Sequence, residues 1–179
     1  MMIASSFFSG ALDFHNKILQ RILIVGLGGG VINNYMTTMK NQKFDITVVD
    51  IDPIMKTIAR KWYDLEESSS HHVIIDDGLH HIAAEAHSGN RNTMKKYDVV
   101  LLDACYNDKR DLMCPLEEFL EDQNIMTIKR IVKHGGAVII NIITSKNATK
   151  EAERVNFYYS LYFPSCYLMQ YSEHDRVYN

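Results

Sequence analysis

The chain has 179 residues, of which 46% are hydrophobic and 23% charged, a composition typical of a globular protein with one sizeable core. Its formal net charge of −3 argues against the basic surface that nucleic-acid-binding and anionic-lipid-binding proteins carry. We therefore expect one domain over residues 1–179, with a leading helix (1–20), a core (21–179) and no nucleic-acid or membrane partner.

Several features of the sequence bear on the compartment. No apolar run approaches the about 20 residues of a membrane span, and the first 12 residues lack the basic segment of a signal peptide. Three widely spaced cysteines, Cys105, Cys114 and Cys166, argue for a reducing compartment and against a disulfide framework or a zinc site. The sequence thus predicts a cytoplasmic protein.

Predicted strands and helices alternate along the chain. Short apolar runs predict strands over 22–25, 45–49, 73–75, 97–102 and 137–143, a weaker outer strand over 166–170, and a last strand over 174–179 that is expected to be incomplete. Helical spacing predicts helices over 7–20, 29–40, 53–62, 79–86, 115–134 and 147–163. The strands are continuously apolar, which is typical of a doubly wound, mostly parallel α/β sheet buried on both faces.

A glycine cluster, Gly26-Leu27-Gly28-Gly29-Gly30, follows the first predicted strand. Glycine lets the backbone turn sharply and approach a ligand where a Cβ would collide. Between a strand and a helix, the cluster predicts a loop in which Gly26, Gly28, Gly29 and Gly30 bind a nucleoside-containing cofactor; a tight turn without a ligand is the alternative. The dinucleotide fingerprint needs a further glycine where Val31 stands, so the loop favours a cofactor without a pyrophosphate, such as S-adenosylmethionine.

Acidic residues end the next two predicted strands. Asp50, with Ile51 beside it, is placed to accept hydrogen bonds from a ribose. Asp77, next to Gly78, is placed to accept from an adenine amine and also to cap a helix, and Asp76 is its rival for the ligand. Carboxyl ends of parallel strands share one edge of a sheet, so we expect these residues to meet the glycine loop there.

Asp103 ends the fourth predicted strand, at the same edge. A carboxylate at this position can orient an amine nucleophile and receive its proton, so Asp103 is the candidate catalytic residue; a purely structural acid is the alternative. Tyr106 is a candidate to line the acceptor pocket through a cation–π contact, although a partly exposed aromatic residue is an equal alternative.

Two histidine pairs, His71-His72 and His80-His81, have no cysteine or carboxylate pattern typical of a metal centre. Adjacent residues on a helix do not share a face, so we expect these pairs to lie on the solvated surface and expect no metal site. Asp52, just before Pro53, is predicted to cap a helix rather than to bind a ligand.

Four segments together resemble the class I S-adenosylmethionine-dependent methyltransferases, in the branch that looks like spermidine synthase: 25–30, 49–52, 77–78 and 97–103. Within this branch the sequence is most similar to the C-terminal domain of the methyltransferase-like family that modifies translation elongation factor 1-alpha. Met113-Cys114-Pro115, Phe119 and the segment 136–141 carry that closer resemblance.

The resemblance implies a Rossmann-like sheet of seven strands and methyl transfer from S-adenosylmethionine to a protein nitrogen, either a lysine or an N-terminal amine. Spermidine synthases have a second aspartate where Tyr106 stands, and they carry a β-rich N-terminal domain for which this chain has no room. An aminopropyl transferase is therefore the less favoured alternative. A non-catalytic cofactor-binding protein is another, a nicotinamide oxidoreductase is more distant, and the oligomeric state, including a homodimer, stays open.

Overall fold

The computed structural model describes residues 1–15, 17–88, 96–145, 148–170 and 177–178. Its helices are α1 (Met2–Phe8), α2 (Val31–Thr37), α3 (Pro53–Trp62), α4 (Gly78–His87), α5 (Asp122–Ile131) and α6 (Ala148–Ser160), with a 3-10 turn at Glu117–Leu120. Its strands are β1 (Gln20–Val25), β2 (Phe44–Asp50), β3 (His71–Ile75), β4 (Tyr97–Leu102), β5 (Leu112–Cys114), β6 (Val132–Ile140), β7 (Ile142–Thr144) and β8 (Val177–Tyr178).

A parallel sheet of five strands forms the centre of the fold, in the order β3-β2-β1-β4-β6. Val25, at the end of β1, pairs with Val49 on one side and Leu102 on the other, so three strands end at the same level. The α/β class and the doubly wound, mostly parallel sheet are thus confirmed. The described residues place five strands in this sheet rather than the expected seven, because β5, β7 and β8 form a separate antiparallel sheet.

Alternate residues of β1 enter two different cores. Ile22 and Ile24 pack in a cluster with Met2 of α1, Met36 of α2 and Ala59 of α3. Leu23 and Val25 pack in a second cluster, whose helical members include Ile82 of α4, Ile125 of α5 and Val155 of α6. Since successive strand side chains point to opposite faces, the helices cover both faces of the sheet, and this burial accounts for the continuously apolar strands.

Several element boundaries differ from the sequence prediction. The leading helix ends at Phe8 instead of near residue 20, and the chain turns at Gly10, whose φ is +76°. Phe14, expected on that helix, stacks on Phe7 with ring centroids 3.8 Å apart. The predicted helix from Pro115 divides into the 3-10 turn and α5, because Glu121 is extended between them.

The C-terminal third also departs from the prediction. Gly135 does not stop a helix; it lies inside β6 with φ +79°, and a Cβ on Gly136 would come within 2.7 Å of the Asp98 carbonyl oxygen. The strand predicted over 137–143 divides at Asn141 between β6 and β7. Residues 166–169 form no strand, and the last predicted strand is seen at Val177–Tyr178, paired with β7. The other residues of that predicted strand (174–176 and 179) lie outside the described residues, as does Asn147, the predicted cap of α6.

The expectation of surface histidines is wrong for His71, which is only 2% exposed. Its ring lies on the inner face of β3, where Nδ1 is 2.7 Å from the Glu66 carbonyl oxygen and Nε2 is 3.0 Å from Asn33 Nδ2. Burial lowers the pKa of this imidazole, which favours the neutral ring that can accept from Asn33. The polar ring is tolerated in the core because both nitrogens have partners.

Candidate functional site

The glycine loop has a backbone conformation that residues with a Cβ rarely adopt. Gly26, Gly28 and Gly30 have φ values of +100°, +51° and +74°, in the left-handed region that favours glycine. A Cβ on Gly26 would lie 2.4 Å from the Asp103 carbonyl oxygen. The loop therefore packs directly against the end of β4, which brings two of the predicted site segments together.

The other end of the loop rests on the residue that follows α3. A Cβ on Gly29 would lie 2.9 Å from the Tyr63 ring, and the Asn34 side chain donates to the Tyr63 carbonyl oxygen at 2.6 Å. Gly30 is the N-cap of α2, and its N–H donates to the Leu27 carbonyl oxygen at 2.8 Å. These contacts within the chain hold the turn between β1 and α2 in its conformation.

Asp50 ends β2 and holds the glycine loop through its carboxylate. The Leu27 N–H donates to Oδ2 at 2.7 Å, and the Asp52 N–H donates to Oδ1 at 2.8 Å. A carboxylate oxygen can accept more than one hydrogen bond, so both oxygens retain capacity for further donors. The neighbouring Ile51 is 69% exposed at the same sheet edge, so its side chain is accessible there.

Asp77 and Gly78 lie where β3 passes into α4. The Asp77 side chain caps the helix by accepting from the His80 N–H at 2.9 Å, and its rival Asp76 instead pairs with the His80 ring, also at 2.9 Å. A Cβ on Gly78 would lie 2.4 Å from Val25 Cγ1, so glycine lets α4 start directly over β1. Asp52 likewise caps α3, as predicted, by accepting from the Ile54 N–H.

Asp103 follows β4, and its N–H donates to the Val25 carbonyl oxygen at 2.8 Å. Its side chain accepts a hydrogen bond from Asn141 Nδ2 at Oδ1, 2.7 Å away. Burial raises the pKa of the Asp103 carboxyl, while the bond from Asn141 acts in the opposite direction. A partly desolvated carboxylate with one oxygen fixed is suited to accept a proton or a hydrogen bond through the other.

Tyr106 lies on the segment that follows Asp103, but its interactions are with that segment's own neighbours. The Arg110 guanidinium stacks 3.7 Å from the ring centroid, the hydroxyl donates to Glu118 Oε2 at 3.0 Å, and the Glu117 N–H donates to the hydroxyl. The structure thus contains a cation–π contact at Tyr106, and the cation is Arg110 of the same chain.

The expectation that the cysteines stay unpaired is wrong for two of them. Cys105 and Cys114 form a disulfide across the segment that follows Asp103, whereas Cys166 is free. The count and spacing of cysteines did not reveal this pair, because the turn that brings residues 105 and 114 together is set by tertiary contacts.

Asn141 is a site residue to which the sequence reasoning gave no role. The available signal was its position: a polar residue that ends an apolar strand, as Asp50 and Asp103 do. An open groove lined by Glu117, Leu120, Glu121, Asp122, Arg154 and Tyr158 contains none of the predicted site residues. The described residues contain no cluster of three or more side chains suited to hold a metal ion. Within the same ranges, no helix is long and apolar enough to cross a membrane.

The chain is similar to known proteins along most of its length, although it matches no protein-family model. It is 34% identical to the eEF1A lysine and N-terminal methyltransferase homolog of Drosophila melanogaster over 126 residues, which are 68% of this chain and 17% of that protein. It is 27% identical to a polyamine aminopropyltransferase of Vibrio vulnificus, over 70% of this chain and 38% of that protein.

The structure is also similar to that of human methyltransferase-like protein 13 in complex with SAH. The TM-score is 0.82 at 26% identity, covering 98% of this chain and 78% of the other. The chain spans less than a fifth of the length of the eEF1A methyltransferase that it matches. It belongs to the eEF1A lysine and N-terminal methyltransferase family, in the spermidine-synthase-like branch of the class I S-adenosylmethionine-dependent methyltransferases.

Proposed function

We propose that the chain is a methyltransferase domain, over residues 1–179, that binds S-adenosylmethionine at the carboxyl edge of its central sheet and methylates a protein amine. The observation that carries this proposal is the direct packing of the glycine loop, fixed by Asp50, against Asp103 at the end of β4. The acceptor is a lysine or an N-terminal amine, by analogy with the relatives named for methylating eEF1A at those groups.

The residues of the loop fit this cofactor. Gly28 is exposed, and apart from Gly28 and its two chain neighbours no described residue has an atom within 4 Å of the point where its Cβ would be, so a ligand can approach the backbone there. We assign the methionine part of the cofactor to residues 26–30, the ribose hydroxyls to Asp50, and the adenine to Ile51, Asp77 and Gly78. Asp77 retains acceptor capacity besides its helix cap, which an adenine amine can use.

Once bound, S-adenosylmethionine supplies the electrophilic methyl group. The protein's part is to position the acceptor, and well-oriented reactants lower a barrier by about 7–11 kcal/mol. Asp103 accepts a hydrogen bond at Oδ2 from the acceptor's ammonium group and takes up one of its protons, which frees the lone pair of the resulting neutral amine for attack on the methyl group. Asn141 keeps Oδ1 in place during this step. Tyr106 and its segment form the acceptor side.

Calorimetry and methyl transfer test the proposal. We expect S-adenosylmethionine and its demethylated product to bind, and a tritiated methyl group to pass to eEF1A or to another protein of a cell extract. Failure of both ligands to bind at millimolar concentration would contradict the cofactor assignment. Binding without transfer to any protein would instead indicate a non-catalytic cofactor-binding protein.

An aminopropyl transferase is the second candidate, favoured by the similarity to the polyamine aminopropyltransferase. That reaction uses a decarboxylated cofactor, so its binding site has no need of a partner for the methionine carboxylate. Tighter binding of decarboxylated S-adenosylmethionine than of the intact cofactor, with transfer to a diamine, would support this alternative. Tyr106, which replaces the second aspartate of spermidine synthases, argues against it.

A further inference from the structure

A disulfide closes the segment that follows the candidate catalytic residue. Cys105 is two residues after Asp103, Cys114 ends β5, and their Cα atoms are 4.5 Å apart. The Cys105 sulfur also lies 3.9 Å from the Asp103 carbonyl oxygen. Whatever changes at this disulfide therefore acts directly beside the acceptor side of the site.

The backbone brings the two cysteines together independently of the bond between them. The Tyr106 N–H donates to the Met113 carbonyl oxygen at 2.9 Å, and the Leu116 N–H donates to the Ala104 carbonyl oxygen at 3.2 Å. Cys105 and Cys114 lie between these two hydrogen bonds, and their Cα separation is that of the closer residue pairs in antiparallel strands. The thiols would stay neighbours after reduction, so exchange with a small-molecule disulfide such as oxidised glutathione, which is itself reduced to two thiols, can form the bond again.

The two sulfur atoms differ in access. Cys114 is 1% exposed, whereas Cys105 is exposed. A thiolate arriving from solvent therefore attacks the Cys105 sulfur, and the buried Cys114 sulfur is the leaving group. One side of this bond is open to exchange and the other is fixed in the core.

The residues enclosed by the disulfide are attached to the rest of the chain mainly near the ends of the segment: the Asp111 carbonyl oxygen accepts from the Ser145 N–H at 3.1 Å, and the buried Leu112 pairs with Thr144 of β7. Positions 107–111 are all exposed, and Arg110 contacts Tyr106 and Asp108 within the same segment. Tyr106 is tied to Glu118 outside the disulfide loop through its hydroxyl. Closing a loop removes conformations that the open segment would sample, so the disulfide adds to these contacts in restricting the acceptor-side backbone, most of all at the exposed positions 107–110.

We propose that Cys105 and Cys114 form a reversible disulfide that orders the acceptor-side segment 105–114, so that a dithiol reductant weakens binding of the acceptor. In the first step the reductant's thiolate bonds to Cys105 Sγ, the S–S bond breaks, and its electron pair leaves on Cys114 Sγ, which takes up a proton. The reductant's second thiolate then attacks the reductant sulfur that is bonded to Cys105 in the mixed disulfide. The reductant is thereby oxidised to a disulfide, and Cys105 leaves as a thiolate and takes up a proton.

Thiol mapping tests whether the site exists, without any need for activity. The chain is equilibrated with oxidised glutathione or with dithiothreitol, alkylated, and analysed by peptide mass spectrometry. We expect Cys105 and Cys114 to be linked and protected in the first sample and alkylated in the second, while Cys166 is alkylated in both. Alkylation of all three cysteines in the oxidised sample would overturn the proposal, and so would a link that dithiothreitol fails to open.

Hydrogen exchange tests the effect on the segment. We expect reduction, or the substitution Cys105→Ser, to increase exchange severalfold in peptides covering 105–114 and to leave 20–50 unchanged. Cys166→Ser is the matched control, because it removes the free thiol and should leave the response to reduction intact. Equal exchange in the oxidised and reduced chain would overturn the proposed ordering.

The kinetic readout rests on the proposed function. We expect reduction to raise KM for the protein acceptor severalfold while Kd for the demethylated cofactor stays the same. An unchanged acceptor KM in a chain whose disulfide has been shown to open would overturn the regulatory role. A chain that binds no cofactor in either redox state would contradict the proposed function, whereas the mapping and exchange results would still decide whether the disulfide is present and reversible.

Discussion

On the proposed cofactor side of the site (26–30, Asp50, Asp77 and Gly78), backbone amides, absent β-carbons and the Asp50 carboxylate set the geometry. On the proposed acceptor side (103–114 with Asn141), pairs of side chains hold the geometry: Asn141 donates to Asp103, and Cys105 is joined to Cys114. The cofactor side has little freedom because the Asp50 carboxylate holds the Leu27 N–H and because the glycines lie against the Asp103 carbonyl oxygen, the Tyr63 ring and Val25. We therefore expect changes on the cofactor side to affect folding and cofactor affinity, and changes on the acceptor side to affect turnover.

Gly26→Ala should have the largest effect. The new Cβ would lie 2.4 Å from the Asp103 carbonyl oxygen at a φ of +100°, so we expect a loss of roughly 3 kcal/mol or more in the free energy of unfolding. Gly10→Ala is the control, because Gly10 also has a positive φ but meets no described atom within 4 Å. Denaturant unfolding measures both variants. Equal losses would mean that contact between the loop and β4 is not what fixes the cofactor side.

Asp103→Asn should lower the activity of the chain but raise its thermal stability. We expect kcat to fall by about two orders of magnitude or more, the usual contribution of a general base. Burial raises the pKa of the Asp103 carboxyl, so its ionised form opposes folding and this opposition grows as pH rises through the raised pKa. The neutral amide should therefore raise Tm at neutral pH. A lower Tm there would contradict this account of the buried carboxylate.

The titration of the Asp103 carboxyl should also be visible in the pH profile of kcat for the wild-type chain. In the proposed mechanism Asp103 acts as a base, so kcat should fall as pH is lowered through the raised pKa of its carboxyl. Asn141→Ala removes the hydrogen bond that lowers this pKa, so it should move the acid limb of the profile to higher pH. An acid limb that stays in place in this variant would show that Asn141 does not act through Asp103.

Asp50→Ala should weaken binding of the cofactor without a comparable effect on binding of the acceptor. The variant loses the bonds from the Leu27 and Asp52 N–H groups, together with the proposed ribose contact. Bonds to a charged group contribute about 1.5–3 kcal/mol, so we expect cofactor affinity to fall roughly 10- to 100-fold in calorimetry. Asp45→Ala, on the same strand, removes a partly exposed ion pair with Arg21 and should leave affinity unchanged.

Glu67→Gln should have the smallest effect. Burial alone would raise the pKa of Glu67, but hydrogen bonds from the Val73 N–H, Lys56 and Arg60 outweigh it and lower the pKa to about 2. A lowered carboxyl pKa stabilises the fold above the unfolded-state value, and this contribution is lost as pH falls towards 2. We expect the variant to lose about 1 kcal/mol at pH 7 and the difference to disappear in strong acid. Glu66→Gln is the neighbouring control, and a difference independent of pH would contradict this origin.

The sequence by itself determined the α/β class, the parallel order of the strand-ending motifs and the cofactor-side candidates. Buried parallel strands and a turn that only glycine can make leave local signatures, namely a continuous apolar run and clustered glycines. The caps at Asp52 and Asp77 are local in the same sense, because a cap and its helix are adjacent in the chain.

Only the tertiary structure decided the pairing of Asn141 with Asp103, the burial of His71 against Asn33, the disulfide between Cys105 and Cys114, and the division of the strands between two sheets. Each of these depends on where separate segments come to lie after the sheet has formed. Hydrophobic periodicity reports whether a residue is buried, but it carries no information about which polar side chain will be its partner.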